Sequence, residues 1–267
     1  MMKKINKDNF NSWKEYYFEY QCRLAKEYYI PLLKKSGVNL KNKKILDVGC
    51  GDGGFISAFA KHSTALYGIE IKDFDWPTEI RSKVVFLVGD LTVMTELNAA
   101  MMGRNLRLII LRDVIEHIPN NEKLNFLKKL KVFADEETTF LITFPPFYSP
   151  FGLHQQVFCK SILRYIPYLS ILPLSILKFV LHLFRENKDT LDKLLEIRNS
   201  RMSIGNFIKI YRKLNFKKIK SKFFTIRPSH ELRYGFKTRK SYIGNVPLLR
   251  ELFVTGVVFI LKIENKS

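Results

Sequence analysis

Residues 45–54, ILDVGCGDGG, decide the fold. Ile45, Leu46 and Val48 make an apolar run that reads as a buried strand, with Asp47 set inside it. Glycines then occupy positions 49, 51, 53 and 54, where a backbone without Cβ can turn sharply and lie close against a neighbour. From Phe55 to Lys61 the apolar spacing becomes helical. A strand, a glycine turn and a helix N-terminus in succession form a site for a nucleotide-like ligand.

The pattern extends downstream. Strands are predicted at 44–48, 65–71, 84–88, 106–111 and 138–144, with helices at 54–61, 92–102 and 121–133 between them. Such alternation specifies a parallel sheet with crossover helices. Upstream, residues 9–35 carry aromatic and apolar residues close to helical spacing, with Pro31 placed to kink or end the helix. Near the C-terminus, 203–214 reads as a helix, and 217–226 and 251–263 read as two strands with no full helix between them. Two loop-joined strands at the end of a parallel sheet allow one of them to enter antiparallel. The chain divides into an N-terminal helical segment (1–40), a ligand-binding core (41–146), an apolar helical insertion (147–202) and a closing helix with strands (203–267).

Charge and composition narrow the partners. The 267 residues are 46% hydrophobic, ample for a core and against disorder. A net charge of +20 suits an anionic partner such as a phosphorylated or lipid-linked small molecule, a membrane surface or a nucleic acid. Cys22, Cys50 and Cys159 are far apart with no metal-ligand spacing, so no metal site is expected and a reducing compartment fits. The first residues hold no apolar signal region, which makes a cytoplasmic location the expectation. Inside the insertion, residues 165–184 have no carboxylate and approach the length of a membrane span. Pro167 and Pro173 oppose one continuous spanning helix. A helix starting near Pro173 would put Ser175, Lys178 and His182 on one narrow polar stripe. The favoured reading is a cap packed on the core, with contact at a membrane interface or a channel for a greasy substrate as the alternatives.

Gly49, Gly51 and Gly54 satisfy G-x-G-x-x-G, and Glu70 follows Gly49 by 21 residues. Dinucleotides and S-adenosylmethionine share that pattern. Three further features separate them: Asp47 inside the first strand, the run FLVGDL (86–91) and the run LIILRDVIEHIP (108–119), to which YGIEI (67–71) adds the end of the second strand. With LDVGCGDGG, in this order and spacing, they resemble the class I S-adenosylmethionine-dependent methyltransferases, closest to the branch acting on small molecules, quinone precursors and sugars. The resemblance implies a Rossmann-like seven-stranded sheet with its last strand antiparallel. It also implies that Gly49 and Gly51 approach the methionyl part of the cofactor and that Asp47 helps to hold that end. Glu70 would take the ribose hydroxyls, Asp90 would sit by the adenine amino group, and Ile71 and Leu91 would flank the ring. Arg112 would lie beside the amino-acid end, where a smaller residue is more usual.

Methyl transfer to a hydroxyl benefits from a base. His154, in FGLHQQ after the Pro145–Pro146 turn, is the first candidate, with Tyr148 and Gln155 near it to orient an acceptor. His117, in IEHIP, is the second and His230 the third. The run TFPPFY (143–148) suggests the Pro-Pro-aromatic box of amino-methylating enzymes, but it follows the fifth strand rather than the fourth, so it reads as a rigid entry to the insertion. The C-terminal lysines and arginines interleave with aromatics, a pattern that can bind single-stranded RNA. The favoured activity is methyl transfer to an oxygen of a small molecule, a glycan or lipid-linked intermediate being preferred. An RNA methyltransferase and a non-catalytic cofactor-binding protein are the alternatives.

Overall fold

The computed structural model describes residues 2–90 and 106–264. Eight strands among them form one sheet: β1 (Lys43–Val48), β2 (Ser63–Glu70), β3 (Val84–Val88), β4 (Leu106–Arg112), β5 (Thr139–Phe144), β6 (Phe216–Ile226), β7 (Arg239–Lys240) and β8 (Gly256–Ile263). Their order is β3-β2-β1-β4-β5-β8-β6-β7, with β1 to β5 parallel and β8 antiparallel to both β5 and β6. This is the Rossmann-like sheet expected, with its last strand reversed. The eighth strand is β7, two residues on the edge of β6 and too short to leave a pattern in the sequence.

The helices are α1 (Trp13–Leu24), α2 (Ile30–Lys34), α3 (Gly54–Ser57), α4 (Thr78–Arg81), α5 (Lys123–Leu130), α6 (Gln155–Phe158), α7 (Leu174–Leu183), α8 (Lys188–Ser200), α9 (Ile204–Lys213), α10 (Pro228–Tyr234) and α11 (Pro247–Phe253). Ser12 caps α1 by accepting from the Glu15 backbone N–H. Pro31 does not end the N-terminal helix. The chain widens into a π-helical stretch at Ala25–Tyr29 and continues as α2, with Pro31 in its first turn, where an N–H is not required.

Two expectations are corrected near the C-terminus. Helices α10 and α11 both lie between β6 and β8, and residues 251–253 belong to α11, not to a strand. Pro247 starts α11 with its φ already set. The Glu251 carboxylate then accepts from the Ile204 and Gly205 N–H groups (2.9 and 2.7 Å), stabilising the N-terminus of α9. Helix α3 is also shorter than the 54–61 expected. The helix predicted at 92–102 lies outside the described residues.

Both faces of the sheet are covered, as a parallel sheet with crossovers requires. Period-two alternation sends Leu108 and Ile110 of β4 into a core shared with α1, α2 and α3. Ile109 and Leu111 enter the opposite core with α5 and α9. The segment between β5 and α9 carries a third apolar cluster of its own, built on Phe147, Leu153, Leu163, Leu177, Leu181 and Leu194.

Candidate active site

The glycine turn leaves the C-terminal end of β1. Gly49 N–H donates to the Ile69 carbonyl of β2 (2.8 Å), fixing the turn against the neighbouring strand. Gly49 has φ +73°, and a Cβ there would meet Val114 Cγ2 at 2.3 Å, so no other residue fits. Gly51 also has positive φ, but its outer side is open, with nothing within 4 Å of a built Cβ. Its N–H donates to Glu70 Oε2 (2.8 Å) and its carbonyl accepts from Trp76 Nε1 (2.9 Å). Trp76 in turn stacks on Phe86 at 4.1 Å. Glu70 Oε1 accepts from the Ile71 N–H (2.9 Å). The carboxylate closing β2 therefore holds the turn that follows β1.

Helix α1 roofs this turn. A Cβ on Gly54 would lie 2.5 Å from the Phe18 carbonyl and 3.1 Å from Gln21 Cβ. Lys14 reaches across to the Phe74 carbonyl (3.1 Å). Asp47 is buried, and desolvation, followed by the nearby Glu70 and Asp52 against the opposing pull of Arg112, raises its carboxyl to about 7. Asp52 Oδ1 accepts from Gly54 N–H (3.0 Å), while buried Oδ2 has no partner among the described residues. Burial likewise raises its pKa.

Arg112 ends β4. It donates to Gln21 Oε1 (2.5 Å), lies 3.7 Å from Asp113 Oδ2 and covers the Phe55 ring at 4.6 Å. Burial opposes its charge, but Asp113 and the Tyr20, Tyr17 and Tyr29 hydroxyls hold it protonated. Ile71 and Asp90 are exposed at the strand ends, and Leu91 lies outside the described residues.

Beyond Asp113 opens a cavity of about 860 Å³. Asp113 has φ +55°, accepts from Thr143 Oγ1 (2.9 Å) and lies 3.6 Å from Arg227 Nη1. Burial pulls its pKa upward, but Arg227, Arg112 and the Thr143 bond prevail and keep it ionised. Because Val48 pairs with Leu111, this cavity begins at the strand end beside the glycine turn.

His117, His154 and His230 all line the cavity. The His117 and His154 rings meet edge to face at 5.5 Å. Burial, then His117 and Arg227, push His154 down to about 4, and burial, then Arg227 and Arg233, push His230 to about 3. His117 is also lowered by burial. In all three the burial favours the neutral imidazole, whose ring nitrogen is then free to accept a hydrogen bond. Glu116 is buried on the same wall with neither carboxyl oxygen hydrogen-bonded to another side chain among the described residues, and burial, then Asp113, raises it well above an ordinary carboxyl.

The structure brings the candidate bases His117 and His154 together on one wall, while Gln155, expected near the acceptor, is engaged elsewhere. Its amide donates to the Pro150 and Ile166 carbonyls (3.0 and 2.8 Å), tying the insertion's loops together. Asp52, Gln21, Trp76, Asp113 and Arg227 were not singled out. Asp52 and Asp113 lay within the quoted motifs, whereas Gln21, Trp76 and Arg227 reach the site through long-range packing that no local pattern encodes.

A parallel sheet ending in a reversed strand, with a glycine turn gripped by the acidic end of β2, defines a Rossmann-like nucleotide-cofactor fold. Residues 16–153 match the methyltransferase-domain family, and the chain belongs to it, as a class I methyltransferase whose cofactor is S-adenosylmethionine. No curated protein matches it. Its fold is similar to that of magnesium protoporphyrin IX methyltransferase from Synechocystis PCC 6803 with bound SAH (TM-score 0.51, 15% identity, 98% of this chain and 90% of that chain covered). It is also similar to an S-adenosylmethionine-dependent methyltransferase from Clostridium acetobutylicum ATCC 824 (TM-score 0.52, 8% identity, 91% and 92% covered).

The residues present fit that cofactor. Glu70 uses two of about four lone-pair positions on backbone N–H groups, leaving two for a ribose diol. The open side of Gly51 gives room for close approach, and the orphaned Asp52 Oδ2 is an acceptor suited to an ammonium.

Proposed function

We propose that this protein moves a methyl group from S-adenosylmethionine to an oxygen of a small anionic acceptor held in the cavity beyond Asp113. One observation carries the reading: neutral His117 and His154 share that cavity with Lys7, Arg164, Arg227 and Arg233. Against these cations stand Asp113, already paired with Arg227, and Glu116, whose raised pKa favours the neutral form. The net field is positive and attracts an anion. Trp13, Tyr16, Tyr165 and Tyr234 supply apolar and aromatic wall, which suits a lipid-linked or glycan acceptor with a phosphate or carboxylate.

The bound cofactor supplies an electrophilic methyl on a sulfonium. In the proposed arrangement Gly49, Gly51, Asp47, Glu70, Asp90 and Ile71 hold it, while Arg112 braces Gln21 and Asp113 beside it. Arg227 and Arg233 orient the acceptor's anionic group, aligning its hydroxyl for in-line attack. The insertion covers the cavity and excludes water. As the O–C bond forms at the expense of the methyl–sulfur bond, which would leave neutral S-adenosylhomocysteine, the hydroxyl proton passes to His154, with His117 as the second acceptor. The edge-to-face packing of these rings disfavours charging both, and each methyl transfer to a hydroxyl releases one proton.

The RNA reading has the weaker support: of the aromatics that interleave with the C-terminal cations, Phe207, Tyr211, Phe216 and Phe224 are buried in the core, which leaves Tyr234, Phe236 and Tyr242 exposed for stacking. Incubating the protein with methyl-labelled S-adenosylmethionine and separated cell-extract fractions tests the proposal. Label entering an acidic small-molecule or lipid fraction is expected. Label entering only RNA, or none at all despite cofactor binding, would overturn it.

A further inference from the structure

Helix α7 has more apolar surface than the fold uses. Leu177 and Leu181 are buried against the insertion's own core (0% and 2% exposed). About a third of a turn away, Ile176, Phe179 and Leu183 form a second apolar sector at i, i+3 and i+7. These three are 47%, 65% and 62% exposed. Ser175, Lys178 and His182 make the narrow polar stripe between the two, as their spacing specifies. Exposed Ile162, Tyr165 and Ile166 belong to the same insertion. Contiguous apolar surface of this kind marks a contact site.

Charge selects the occupant. Residues 147–185 contain no Asp or Glu, but carry Lys160, Arg164, Lys178 and Arg185, all exposed. The nearest carboxylate, Glu186, is already bonded to the Ser161 hydroxyl and to the Lys160 and Ser161 N–H groups. A second copy of a +20 chain would bring like charges together at this face. A bilayer rich in anionic lipid satisfies both the apolar sector and the cations around it. Ten residues of helix reach about 15 Å, half the hydrocarbon thickness, so α7 cannot span and must lie in the interface. No helix among the described residues is long and apolar enough to cross a membrane.

We propose that the insertion docks the protein on an anionic bilayer surface through the Ile176–Phe179–Leu183 face of α7 and its flanking cations. Tyr165 and Val157 are exposed on this insertion and also line the cavity beside Arg164. The mouth of the cavity then faces the headgroup layer, and an amphiphilic acceptor enters from the membrane. This last step rests on the methyl-transfer reading, whereas the docking does not.

Flotation with vesicles of phosphatidylglycerol mixed with phosphatidylcholine, and with vesicles of phosphatidylcholine alone, separates the two. The wild-type protein is expected to float with the anionic vesicles and to be released by high salt. The double substitution Ile176→Glu and Phe179→Glu should lower vesicle binding about tenfold or more. Both residues are exposed, so circular dichroism and S-adenosylhomocysteine binding should not change. The proposal is overturned if wild type ignores anionic vesicles or if the double variant binds them equally well. It is also overturned if wild type sediments as a dimer that the double variant dissolves, which would assign the face to self-association. Vesicle binding without any cofactor binding would leave the docking standing and remove the methyl-transfer reading instead.

Discussion

Replacing Gly49 by alanine tests the geometry of the turn that carries the cofactor. The new Cβ would lie 2.3 Å from Val114 Cγ2 in a backbone at φ +73°. The left-handed conformation costs about 1–2 kcal/mol for a residue with a Cβ, and overpacking costs about 1–3 kcal/mol. Gly49→Ala should therefore destabilise by about 2–5 kcal/mol. Val114→Ala alone removes two methyl groups from a partly buried site, about 1 kcal/mol. In the double variant the clash is gone, and the backbone cost and the lost Val114 methyl groups remain. The two effects should fail to add by about 1–3 kcal/mol in the rescuing direction. Urea unfolding of the four proteins, followed by the fluorescence of Trp13 and Trp76, measures this coupling. Strict additivity, with both single variants folded, would refute the close approach of Val114 to the turn.

Three other outcomes follow from the site. Glu70→Gln leaves one acceptor oxygen where two backbone N–H groups now bond, and removes one of the oxygens proposed to take the ribose hydroxyls. Each lost charge-assisted bond is worth about 1.5–3 kcal/mol, so titration calorimetry should find S-adenosylhomocysteine bound about 10- to 100-fold more weakly. His154→Gln should reduce kcat by about 10²–10⁴-fold with little change in cofactor affinity, the effect of removing a general base, measured by label transfer to the identified acceptor. The same substitution should change acid stability. The folded pKa of His154, about 4, lies below its unfolded value of about 6.5. The unfolded chain binds the extra proton, so stability is intact above pH 6.5 and is lost as pH falls toward 4, by up to about 3 kcal/mol. Asp47, raised to about 7, works in the opposite sense between about pH 4 and 7. Comparing urea midpoints of wild type and His154→Gln across this range isolates the histidine, and parallel curves would argue against its burial.

Local patterns carried much of the sheet. The five parallel strands carry apolar runs, β1 and β3 ending before a glycine, β2 on Glu70 and β5 before Pro145, and the glycine turn announces its own backbone. The short edge strand Arg239–Lys240 could not be read, because two exposed cationic residues have no periodicity. Residues 251–253 read as strand because their apolar neighbours continue into β8, and only Pro247 hints at a helix start. Within the site, Glu70 could be singled out because strand end and spacing coincide, and the structure puts its carboxylate on the glycine turn. Gln21 and Trp76 were not, because they meet the turn from α1 and from the loop after β2. The polar stripe of α7 was predictable from spacing, but which apolar sector would be buried depended on the insertion's own core.

The central claim is that the turn after β1 and the carboxylate of Glu70 hold an adenosyl sulfonium. Isothermal titration of the wild-type protein with S-adenosylhomocysteine, beside NAD as a control, tests it most directly. One-to-one binding that S-adenosylmethionine displaces, with no heat from NAD, is the predicted result. Silence toward both sulfur compounds and saturable binding of NAD would contradict it.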